Sequence, residues 1–122
     1  MTYTHTETNL QAENEYPKLV RDKIPEIVLE KEGQNVPTRI MTDDTEYEGY
    51  LRRKIIEEAT ELAEAKTDEH TIEEMADVEE LIDALLALKN LNRSQVAAAQ
   101  QAKQVHRGGF AKRILMLEGV KK

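Results

Sequence analysis

Residues 43–91 constrain the fold more than any other stretch. Apolar residues recur there at helical spacing through two long segments, separated only by Thr67-Asp68-Glu69-His70. Asp43 with Glu46 three residues on forms a capping-box pattern, so the first long helix is expected from Asp43 to about Lys66. Thr71 with Glu74 repeats the pattern, which predicts a turn over residues 67–70 and a second helix to about Leu91. Two helices joined this tightly run back antiparallel at an axis separation of roughly 8–10 Å. The expected fold class is therefore all-α, an antiparallel helical bundle.

The flanking segments extend this plan. KLVRDKIPEIVLEKEG is read as a short helix, with Pro25 in its first turn and Gly33 just past its end. Pro37 forbids helix in NVPTRIM, residues 35–41, leaving an extended connector. Ser94 is expected to cap a further Ala- and Gln-rich helix that ends at Gly108–Gly109. The apolar run from Phe110 to Leu117 fits either helix or strand. Residues 1–15, polar and rich in Thr, Glu and Asn, read as a mobile tail before a single domain over residues 16–122.

Charge narrows the partners. The net charge of −7 argues against nonspecific binding to DNA, RNA or an anionic membrane. With no cysteine, thiolate metal sites and cysteine nucleophiles are excluded. No stretch has the length of a membrane span and the N-terminus lacks a secretory pattern, so a cytoplasmic location is expected. Half of the acids fall between Glu57 and Asp83, whereas the last twenty residues are basic apart from Glu118.

Acids on a helix are ordinarily solvated, and position decides otherwise for four of them. At about 100° per residue, Leu51, Ile55, Ala59 and Leu62 form the first apolar stripe, and Glu58 projects within it. Met75, Val78, Leu81, Ile82, Leu85 and Leu86 form the second, and Glu74 projects within that one. Glu61 and Asp77, each three residues later, sit on the flanks, while Glu73, Glu79, Glu80 and Asp83 point to the polar side. Ionised carboxylates placed in a core are costly, and two facing each other repel. A divalent cation removes both costs, and magnesium, or manganese in its place, suits an all-oxygen donor set. Glu58, Glu61, Glu74 and Asp77 are therefore the candidate metal ligands. The competing account is that Glu74 only serves a first helical turn and Glu58 pairs along its own helix.

These residues also carry a resemblance. IIEEATELAEA followed by EEMAD resembles the E-E-x-x-E … E-x-x-D signature of the all-α nucleoside triphosphate pyrophosphohydrolases, the MazG-like superfamily. YPKLVRDKIPEI and HRGGFAKRIL are similar to its phosphoribosyl-ATP pyrophosphohydrolase-like branch, and the resemblance covers about residues 16–118. It implies magnesium on the four acids and hydrolysis of the α–β phosphoanhydride of a nucleotide to a monophosphate and pyrophosphate. It further implies a house-cleaning role, and a homodimer or dimer of dimers in which neighbouring chains complete the bundle. Such chemistry gives Glu57 a role in orienting or deprotonating water, against the alternative of exposed surface. Lys54 is placed to contact phosphate, or else to pair with an acid of its own helix. Arg21, Lys23, Arg107, Lys112 and Arg113 are candidates for the remaining phosphate oxygens, with the Gly108–Gly109 backbone able to approach closely. His5 and His70 are read as inert, His106 as a helix-end histidine, and Tyr47 and Phe110 as core residues or base-stacking rings. The alternative function is a catalytically silent nucleotide-binding or regulatory helical oligomer.

Overall fold

A computed structural model describes residues 16–121; the tail expected over residues 1–15 lies outside the described residues. Every regular element in that range is a helix: α1 (Ile24–Glu32), α2 (Asp44–Glu64), α3 (Asp68–Lys89) and α4 (Arg93–Arg107). The described residues are all-α, as the periodicity predicted.

Local chemistry sets the helix ends. Pro25 occupies the first turn of α1, where its missing N–H would have had no helical partner. Gly33 closes α1 in the left-handed region, φ 68°, and donates its N–H to the Leu29 carbonyl. Residues 34–43 contain no helix or strand, in keeping with Pro37. The Asp43 carboxylate accepts the Glu46 N–H and starts α2 where expected.

Three expectations are corrected. First, α3 is capped by Thr67, whose hydroxyl accepts the His70 N–H at 3.0 Å, and not by Thr71. Residues 68–70 are therefore the first helical turn, where Asp68 and Glu69 complement the helix dipole. Thr71 instead donates its hydroxyl to the Thr67 carbonyl at 2.8 Å. Second, α4 is capped by Asn92 and not by Ser94. Asn92 accepts the Gln95 N–H while the Gln95 side chain accepts the Asn92 N–H, a reciprocal pair that a serine two residues later cannot form. Third, Phe110–Leu117 is neither helix nor strand: Arg113 donates its N–H to the Phe110 carbonyl in a turn, and irregular backbone follows.

The described residues fall into two units, one ending at Asn90 and the other beginning at Leu91. In the first, α2 and α3 pack against each other. Glu48, near the start of α2, holds Lys89 at the end of α3 at 3.0 Å. Glu61, near the end of α2, lies with His70 at the start of α3. Of the hydrophobic side chains among the described residues, Leu51 alone is fully buried, at 1 % exposure. Ile55, Leu62, Val78, Leu81, Ile82, Leu85 and Leu86 are half-buried. Ala59 and Met75, expected in the stripes, are exposed. The other buried side chains are Lys54, Glu58 and Glu74, so the centre of the helix pair is ionisable. In the second unit, every described residue from Leu91 to Lys121 is exposed. No helix among the described residues is long and apolar enough to cross a membrane.

Candidate metal centre

The wheel positions of Glu58 and Glu74 translate directly into burial, 2 % and 0 % exposed. Asp77, one turn beyond Glu74 on α3, has a side chain that is 12 % exposed. One oxygen from each of these three carboxylates lies within 4.8 Å of the others, close enough for a shared cation. Glu73, Glu79, Glu80 and Asp83 are exposed, as their positions on the wheel predict.

The fourth expected ligand, Glu61, belongs to a second group. It is half-buried, and it comes within 4.8 Å of Glu74 together with His70. Glu74 is common to both groups. His70 Nε2 stands 3.3 Å from Glu74 Oε1, so this histidine, expected in a turn between helices, lies in the first turn of α3 beside the cluster. The readable signal was its place four residues before Glu74 on one helix. Assigning residues 67–70 to a turn concealed it.

Each buried acid also meets a base. Lys54 Nζ lies 3.7 Å from Glu58 and 3.2 Å from Glu57. Arg21 donates to Asp77 at 2.7 Å, linking the segment before α1 to α3. Lys54 is 6 % exposed, so its ammonium is held among acids at the centre of the pair. Glu57 lies between Lys54 and Lys18, the latter 3.9 Å away, and its side chain is 26 % exposed. It lines a cavity of about 250 Å³ with Tyr16 and Arg53.

A larger cavity of about 450 Å³ has Glu58, Asp77, Lys54, Arg21, Lys23 and Tyr47 in its wall. Its size is that of a small-molecule site. The apolar wall is supplied by Leu19, Leu51 and Leu81. Of the six basic residues expected near phosphate, this cavity gathers Lys54, Arg21 and Lys23. Arg107 ends α4, and Lys112 and Arg113 follow it, all exposed within the second unit. Phe110 is 98 % exposed, which corrects its expected place in a core. Tyr47 is half-buried in the cavity wall.

Hydrogen bonds from Lys89, then Arg52, hold the Glu48 carboxyl below the ordinary range. The hydrogen bond from Arg39 does the same to Glu46, and Glu46 in turn raises Arg39. No protein-family model matches this chain, and no curated protein or solved structure gives a significant match.

Proposed function

We propose that the chain is a magnesium-dependent nucleotide pyrophosphohydrolase, cleaving the α–β phosphoanhydride to leave a monophosphate and pyrophosphate. The reading joins the resemblance to the MazG-like enzymes with one observation: Glu58, Glu74 and Asp77 converge within 4.8 Å in a buried setting. Three carboxylate oxygens from two helices form the hard, oxygen-rich donor set that magnesium or manganese takes. Glu58, Glu74 and Asp77 would hold the ion, with Glu61 as the adjoining ligand. When bound, a divalent ion neutralises phosphate charge and makes water a better nucleophile.

The chain's own residues supply the rest of the reading. α2 and α3 form an antiparallel pair, which brings the end of one beside the start of the other. Tyr47 offers a ring for a base in the larger cavity, and Lys23 offers a cation for phosphate. Arg21 has an exposed guanidinium on Asp77. Engagement of Asp77 by an ion would release Arg21 for phosphate. Lys54 contributes charge beneath the site. Glu57, held by Lys54 and lining the other cavity, fits a positioning role better than that of the base. Assembly as a homodimer or dimer of dimers would cover the apolar surface that the single chain leaves exposed.

A second reading has its own support. Lys54 stands beside Glu58 and Arg21 beside Asp77, so two of the three converging acids have a compensating positive charge without an ion, and His70 lies beside the third. That arrangement suits a nucleotide-binding or regulatory helical oligomer without turnover. Pyrophosphate release from canonical, deoxy, oxidised and phosphoribosylated nucleotides separates the two. The enzyme reading expects magnesium-dependent release, reduced by on the order of 100-fold or more in Glu58→Gln and in Asp77→Asn with helix content retained. Unchanged turnover in both variants would remove these residues from the site, and absence of release across the panel would favour the silent oligomer.

A further inference from the structure

Residues 16–90 carry twenty acids against ten bases, yet three of the ten bases meet at one place. Lys18, Arg53 and Lys54 line the smaller cavity of about 250 Å³, with Glu57 as the one acid in its wall. Three positive charges against one negative charge run counter to the acidic surroundings.

Two of the three cations are withdrawn from water. The Lys18 and Lys54 side chains are 7 % and 6 % exposed, and Glu57 stands between their ammoniums, 3.9 Å from one and 3.2 Å from the other. Aromatic faces hold two cations in place. The Lys18 ammonium lies 5.3 Å from the centre of the Tyr16 ring, and the Arg53 guanidinium 4.9 Å from that of Tyr50. A ring face positions a cation without cancelling its charge, and desolvation strengthens that charge toward an anion. Lys54 also joins this cavity to the metal centre. It lines both cavities, and its Nζ is 3.7 Å from Glu58 and 3.2 Å from Glu57.

We propose that the smaller cavity is a diphosphate subsite, in which Lys18, Arg53 and Lys54 hold the β- and γ-phosphates of the substrate and then the departing pyrophosphate. The subsite rests on the pyrophosphohydrolase proposed above and gives the two ends of its substrate separate cavities. The larger cavity has Tyr47 for the base and Lys23 for the phosphate nearest the sugar. The smaller one falls below the roughly 300–1,000 Å³ of pockets that enclose a whole small molecule, and suits a fragment such as a diphosphate.

In that reaction water adds to the α-phosphorus as hydroxide, its second proton passing to solvent. The bridging oxygen leaves on pyrophosphate with the electron pair of the broken bond. Negative charge therefore grows at the smaller cavity in the transition state, where cations already fixed in place lower the barrier.

The probe is inorganic pyrophosphate in excess magnesium, titrated calorimetrically into the full chain. Saturable binding is expected. Lys18→Met, which keeps an unbranched stem, should weaken it about tenfold, and Arg53→Met about threefold. Arg53 is exposed, so its variant reads the subsite even if Lys18→Met disturbs the fold. Lys31→Met removes the same charge from the last turn of α1 and should leave affinity within about twofold. No binding by the wild-type chain, unchanged affinity in both cavity variants, or an equal loss in Lys31→Met would overturn the proposal. Turnover separates the subsite from the activity it rests on. Pyrophosphate bound through Lys18 and Arg53 by a chain that hydrolyses no nucleotide would keep the subsite and remove the enzyme. Hydrolysis whose inhibition by pyrophosphate is the same in both variants as in the wild type would keep the enzyme and remove the subsite.

Discussion

Glu74 shows how much a single side chain carries. It is fully buried, belongs to both groups of candidate ligands and has His70 beside it. The burial of Glu74 and Glu58 was legible in the sequence, because both project inside apolar stripes. The pairing of Arg21 with Asp77 was not legible: it spans 56 residues and no local pattern encodes it. Glu48 offers a different residue-scale test. Lys89 and Arg52 lower its pKa, so its contribution to stability is fully present above the unfolded value of about 4.3 and is lost as pH falls through the folded value. Glu48→Gln should lower the melting temperature slightly at neutral pH. That gap should close in melts taken progressively further into acid; a gap that persists when both proteins are fully protonated would place the effect outside the ion pairs.

At the scale of elements, periodicity located the helices, while the caps needed competition between neighbouring residues to be resolved. Thr71 with Glu74 matches the capping-box pattern better than Thr67 with His70, yet Thr67 is the cap and the helix begins at Asp68. The acids at 68 and 69, in the first turn, tip the balance. Ser94 lost to Asn92 for a related reason: Asn92 has Gln95 at the reciprocal position. The run from Phe110 to Leu117 defeated sequence reading because a short apolar stretch has no period of its own. The corrected start of α3 predicts that Thr67→Ala costs about 1 kcal/mol in thermal or denaturant unfolding. Thr71→Ala, which removes a methyl and a hydroxyl bonded to the Thr67 carbonyl but no cap, should cost less. A reversed order would return the cap to Thr71.

For the whole molecule, the unusual fact is a helix pair centred on one buried leucine and three buried ionisable side chains. Apolar burial of that extent gives a modest core, so ion binding and association are the natural sources of further stability. Under the proposed function the first would account for the converging acids, and the second for the exposed apolar residues between 110 and 120. Magnesium binding is the more central of the two and can be measured by calorimetric titration without assuming any substrate. The account predicts saturable magnesium binding by the wild-type chain and its loss in Glu74→Gln, although removing one of three converging charges should leave the metal-free Glu74→Gln chain folded. Absence of binding by the wild-type chain at millimolar magnesium, or equal binding by the folded Glu74→Gln variant, would contradict it.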